Sequence, residues 1–239
     1  MRFVAEYVRI QVLELLRLPS FFLPLIALPA AFYLMIGVRA DLPAAQILFS
    51  YLAFAMLGTM MFQFGVGIAA TRNDPWNLYL LSLPVSSRVR VASQLIAGLF
   101  FAVLFSLPLL LIGLINGAVF TVAPGRFLFG IGALIIGGLV HGALGLALGY
   151  WLPARGAVPI TNLIYFPLAF IGGLFGTWDL GALQPLHTFS PTGAWADLIN
   201  SALLGESNGQ ALAILGGYLL ICGFVAIWGY RRVEQTQYR

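Results

Sequence analysis

Six stretches of this chain, residues 18–38, 42–71, 91–125, 127–154, 156–178 and 207–230, each run 21 residues or longer without a charged side chain. A helix needs about 20 apolar residues to cross the hydrocarbon core of a bilayer, and one charge at its centre costs about 2.5–3.5 kcal/mol. Neutral runs of that length predict membrane-spanning helices; a shorter one at 180–196 does not. Threading the chain through the six runs gathers Arg2, Arg9, Arg17, Arg72, Arg88, Arg90, Arg155, Arg231, Arg232 and Arg239 on one side. Only Arg39 and Arg126 land opposite. Arginine is retained on the cytoplasmic side, so both termini are expected there. The acids divide four and four, as groups that contribute little to orientation should.

Composition closes off other classes. Apolar residues make up 61% of the chain and charged residues 8%, which excludes an ordinary soluble domain. The net charge of +4 comes from arginines at the cytoplasmic lipid face, not from a nucleic-acid surface. Cys222 is the only cysteine and falls inside the last span, so the chain forms no internal disulfide. No lysine occurs, and a G-x-x-x-x-G-K-[S/T] phosphate loop needs one on the nucleotide's phosphates. Any ATP used must be hydrolysed by another polypeptide. The first apolar run follows seventeen residues containing Glu6 and Glu14 and exceeds a signal core, so it is read as a retained span.

The whole of 1–239 therefore reads as one all-α polytopic membrane domain with six transmembrane helices. Residues 1–17 are predicted to form an amphipathic helix on the membrane surface. At 100° per residue, Arg2, Glu6, Arg9, Glu14 and Arg17 share an arc of about 140°, opposite Val4, Val8, Val12, Leu15 and Leu16. The spans are expected at about 20–38, 45–70, 92–116, 128–150, 157–177 and 209–229, with Pro24 and Pro29 expected to kink the first. Indole rings favour the membrane boundary. In this layout Trp151 and Trp228 fall at cytoplasmic ends, Trp178 at an outer end, Trp76 in a cytoplasmic loop and Trp195 in the outer loop, with none at mid-membrane.

Two connections are long. The cytoplasmic one, 71–90, offers Asp74 as a cap for a helix opening at Pro75, with Trp76, Tyr79, Leu80 and Leu83 at helical spacing before Pro84. Its apolar face needs a cover, either lipid headgroups or another protein. The extracytoplasmic one, 179–206, carries Asp179, Asp197 and Glu206 and no basic residue. Its apolar pieces are too short to span, and small helices resting in the outer leaflet are expected.

Three segments carry a family resemblance that covers nearly the whole chain. LLRLPSFFLPLIALPAAFYLMIG resembles the passage from surface helix to first span in permeases of type-2 ATP-binding-cassette exporters. NLYLLSLPVSSRVRVASQLIAGLFFAVLFSL is similar to that family's cytoplasmic loop and third span. NLIYFPLAFIGGLF and QPLHTFSPTGAW resemble its fifth span, glycine-rich outer end and the proline-containing segment beyond. The chain departs from the family at Arg72-Asn73-Asp74-Pro75-Trp76-Asn77, where many members carry an acidic residue and a Gly-Thr pair.

The resemblance implies a bacterial inner-membrane permease acting as a homodimer, or paired with a similar subunit, around an export path. Each copy docks a separate ATPase that carries the ATP and magnesium; this chain binds no cofactor. Docking is implied for Asp74, Pro75, Trp76, Tyr79, Leu80 and Leu83, with helix 1–17 also in contact. Gln63, Thr161, Asn162 and Tyr165 are polar groups in spans two and five, which in the family lie near the path. They are candidates for its lining, and interhelical hydrogen bonding accounts for them equally well.

Other motifs have plainer readings. Gly138, Gly142, Gly145 and Gly149 line one face of span four, where small residues admit a close helix; packing within the subunit is preferred over a dimer seam. His141 lies beside them with no charged partner in any span, so a structural role is preferred over a proton relay. Gly205-Glu206-Ser207-Asn208-Gly209 matches G-x-S-x-G, but a nucleophile elbow needs a strand-to-helix turn; here the residues are expected to start a helix. The competing functional reading is an ATP-independent six-helix transporter or channel, which would usually show charges at mid-membrane.

Overall fold

The structure, a computed structural model, describes residues 9, 19–75, 87–176, 181 and 184–237. Among them every regular element is helical. In chain order these are α1 (Pro19–Met35), α2 (Ala44–Thr71), α3 (Ser87–Ile115), α4 (Pro124–Trp151), α5 (Ala157–Ile171), α6 (Gln184–Phe189), α7 (Pro191–Leu204) and α8 (Gly209–Gln237). Five helices are long and apolar enough to cross a membrane: α2, α3, α4, α5 with its preceding turn, and α8. Leu23–Arg39, mostly α1, is a shorter apolar helix. Of the predicted surface helix 1–17, only Arg9 is described, and its backbone is helical.

Local chemistry sets the helix ends. α3 ends at Gly117, whose φ of +81° is a left-handed conformation that favours glycine. Asn116 closes the corner, its Nδ2 donating to Tyr33 Oη at 2.8 Å. α4 opens on Pro124, where a missing N–H costs nothing. α5 is shorter than expected, ending at Ile171 rather than near 177. Gly173, at φ +67°, turns the chain out of the helix, and Thr192 Oγ1 joins the Gly172 N–H in donating to the Leu168 carbonyl, at 2.7 Å.

α4 lies at the centre, packed against α8, α7, α2 and α3. Its glycine stripe faces inward. A Cβ at Gly138 would meet Met56 Cε at 2.8 Å, and one at Gly142 would meet Leu95 Cδ2 at 2.9 Å. One at Gly149 would strike the Phe64 carbonyl oxygen, so the α4 and α2 backbones touch there. The stripe thus packs within the subunit, as preferred from sequence. Beside it, Met61–Val66 of α2 forms a wide π-helical turn.

The segment 179–206 departs from expectation. α7 does not rest on the outside of the bundle but packs into it, burying Thr192, Ala194, Trp195 and Ile199 almost completely. Trp195 Nε1 donates to the Ala133 carbonyl at 3.0 Å, and the indole lies where a Cβ on Gly137 would be. Gly137 is at the midpoint of the 28-residue α4, so the expectation that no tryptophan sits at mid-membrane depth fails for Trp195. The physical reason is a slot: a glycine on α4 admits a ring from α7, and neither sequence segment alone reveals the pairing.

Candidate functional site

Three places carry polar chemistry, one at each end of the bundle and one between. At the arginine-rich end, both legs of the 71–90 connection are tied to the same helix terminus. Arg72, just beyond α2, donates from Nη1 to the carbonyls of Gly149 (3.2 Å) and Tyr150 (2.8 Å). The last carbonyls of a helix lack internal partners and carry partial negative charge, so a guanidinium there is favourable. On the other leg, Gln94 of α3 accepts from Tyr150 Oη at 2.8 Å. Tyr150 also meets Tyr230 edge-on at 5.7 Å, and the Arg90 guanidinium lies 5.6 Å from the Tyr230 ring centre. Trp151 continues the girdle, donating to the Val225 carbonyl at 3.3 Å with Arg232 over its ring at 5.0 Å.

Of the predicted docking residues, Asp74 and Pro75 are described. Asp74 is exposed, its N–H donating to the Thr71 carbonyl at 2.9 Å, and Pro75 has helical backbone. Trp76, Tyr79, Leu80 and Leu83 lie outside the described residues. Sequence reading passed over Arg72, Gln94 and Tyr150 as anchors. Arg72 counted only as a topological charge, and the boundary position of Tyr150 beside Trp151 was the available signal.

Between the ends, α2 and α5 form a seam. Tyr165 is buried, its ring stacked on Phe54 at 5.2 Å and edge-on to Phe62 at 5.6 Å, with its hydroxyl against Gly58. Thr161 is fully buried against Gly65. Gln63 sits in the wide turn of α2 and is also buried. Gln63 Oε1 and Thr161 Oγ1 find no hydrogen-bond partner among the described residues. Asn162 is not brought to this seam's buried face: it is half-buried and donates to the Val158 carbonyl of its own helix at 3.1 Å. Phe175 extends the aromatic column from Phe54 (4.6 Å) toward Phe170 (4.8 Å) and Phe32 (5.9 Å).

At the far end, His187 of α6 bridges two elements. Its Nδ1 lies 2.8 Å from the Ile171 carbonyl that terminates α5, and its Nε2 lies 3.2 Å from Asp197 Oδ1 on α7. The Asp197 hydrogen bond raises the His187 pKa above its ordinary 6.5, with partial burial opposing. Deeper in, His141 is fully buried, its Nδ1 2.8 Å from the Gly137 carbonyl and its ring stacked 4.7 Å from Trp195. That bond stays within α4 rather than reaching a neighbouring helix. Ser207 belongs to a helix junction: Gly205 at φ +81° ends α7, and Asn208 Oδ1 accepts from the Ala211 N–H at 2.9 Å to start α8.

Comparison with known proteins agrees with this arrangement. Residues 15–227 match the family described as ABC-2 family transporter protein. A candidate transport permease of Bacillus subtilis (strain 168), YvfS, is 24% identical over 237 residues, covering 93% of this chain and 94% of that protein.

Proposed function

The chain belongs to the ABC-2 family of transporter proteins, and from that premise we propose that it is the permease subunit of a bacterial exporter driven by a separate ATPase. Its membership makes it a multi-pass membrane transport subunit rather than an enzyme. The finer reading adds an ATP-binding-cassette ATPase docked on 71–90, a second permease copy, and a cytoplasmic membrane location with both termini inside.

One observation carries the coupling role. The 71–90 connection is clamped at both legs onto α4, through Arg72 on the Gly149 and Tyr150 carbonyls and through Gln94 on the Tyr150 hydroxyl. A partner that pushes on this connection moves α2, α3 and α4 together instead of bending a slack loop. One of these helices, α2, forms with α5 the seam that holds Gln63, Thr161 and Tyr165, candidates for the path wall. The apolar face of α5, with Leu163 74% exposed, is left for lipid or the second copy. An uncharged interior suits amphiphilic or lipid-linked cargo.

The test is co-purification with an ATP-binding-cassette ATPase, followed by ATP turnover of the complex in lipid. Trp76→Arg is expected to abolish the association. Retained association with unchanged turnover would overturn the docking assignment.

A further inference from the structure

We propose that His187 is a proton-operated latch on α6: as an imidazolium it clamps this short helix between the end of α5 and α7, and as a neutral imidazole it releases it. The argument starts from hydrogen-bond inventory. Both ring nitrogens face groups that only accept, the Ile171 carbonyl at 2.8 Å and a carboxylate oxygen of Asp197 at 3.2 Å. A neutral imidazole carries one N–H and serves one acceptor, leaving a lone pair opposed to the other; the imidazolium serves both. Deprotonation therefore removes one of the two ties.

Position decides which tie is lost. The Ile171 carbonyl ends a helix and makes the nearer contact. The Asp197 side chain is 43% exposed and can turn to water, so the link to α7 is the one that opens. α7 itself stays in place, since Trp195 and Thr192 hold it to α4 and α5 through hydrogen bonds of 3.0 and 2.7 Å. α6 has less to keep it. Leu186 and Phe189 are exposed, and among the described residues its other side-chain tie beyond the Ser190 corner is Tyr218 Oη donating to the Phe189 carbonyl at 3.1 Å.

The surrounding charges leave Asp197 as the group that tunes His187. Among the described residues, α5 presents its Ile171 carbonyl to His187, and α8 presents Tyr218 to α6. Arg126 of α4 lies over Gly205, with Glu206 beside it, about 12 Å along the α7 axis from Asp197. Asp179 lies outside the described residues. The hydrogen bond to Asp197 raises the His187 pKa, so the clamp is complete below 6.5 and opens as pH rises through the higher folded value. The ring also packs beside Gly173, in the turn that carries Phe175 into the aromatic column. Release of α6 uncovers that end of the α2–α5 seam.

The experiment needs neither ATPase nor cargo. A nitroxide is placed at Leu186→Cys in a Cys222→Ala background, in phospholipid nanodiscs, and its mobility is followed between about pH 5 and 8. The label is expected to be immobilised at the acid end and mobile at the other, with a midpoint above 6.5. Asp197→Asn is expected to move that midpoint down, and His187→Gln to abolish the transition. A label at Leu204→Cys, on the anchored α7, is expected to show no transition. A Leu186 label with no pH response in the otherwise native chain, or one that keeps its response in His187→Gln, overturns the proposal.

Discussion

The two ends of the bundle are held by different chemistry. At the arginine-rich end the links are guanidinium groups on carbonyls and aromatic rings: Arg72 on Gly149 and Tyr150, Arg90 over Tyr230, Arg232 over Trp151. None of these contacts uses an imidazole, the side chain whose ordinary charge change falls between pH 5 and 8. At the far end an imidazole and a carboxylate bridge α5, α6 and α7. The contrast shows how one helix bundle combines a constant grip where an external push is proposed to enter with a condition-dependent contact at the opposite mouth.

The largest effect should come from the indole that spans the far-end helix and the bundle centre. Trp195→Ala removes a fully buried side chain and its bond to Ala133, with an expected loss of about 3–5 kcal/mol, read as a lowered thermal unfolding midpoint in detergent. A melting curve that matches the unsubstituted protein would remove α7 from the core. Next, Arg72→Gln at the opposite end should cost about 1.5–3 kcal/mol, the worth of hydrogen bonds from a charged donor, and the loss should be equal at about pH 5 and 8. Arg72→Lys should recover little, because one ammonium lacks the planar fork.

Tyr150→Phe keeps the ring packed on Tyr230 and removes only the donor to Gln94, so about 0.5–1.5 kcal/mol is expected. In the assembled complex the same variant should uncouple ATP turnover from transport more than it lowers stability. His187→Gln makes the sharpest test of the contrast although its effect is small. A raised folded pKa adds stability below 6.5 that disappears as pH rises through the folded value. The difference in unfolding midpoint between His187→Gln and the unsubstituted chain should thus shrink toward alkaline pH, while that for Arg72→Gln stays flat. Smallest of all, Ser207→Ala should leave stability and transport unchanged, because Gly205 and Asn208 make the junction.

Much of this was legible beforehand for a simple reason. Charge exclusion from a bilayer is a one-dimensional rule, and the runs free of arginine and acid map onto α1 to α5 and α8. The α4 glycines were legible too, since a four-three-four spacing of residues without side chains has few uses except close approach. The lining candidates were half legible. Thr161 and Tyr165 meet α2, whereas Asn162, one position from Thr161, turns 100° away and bonds its own helix. Composition marks a polar residue in a span but not the direction it faces.

The amino-acid order by itself marked the long apolar helices and most of their ends, because transfer of charge and backbone into lipid is decided residue by residue. Only the folded bundle decided that Trp195 fills the space over Gly137, that Arg72 and Gln94 converge on Tyr150, and that His187 faces two acceptors at once. Those are meetings between segments far apart in the chain. They depend on the rotation and depth at which neutral helices settle against one another, and that is set by shape and by the need to pair each buried polar group, not by local pattern.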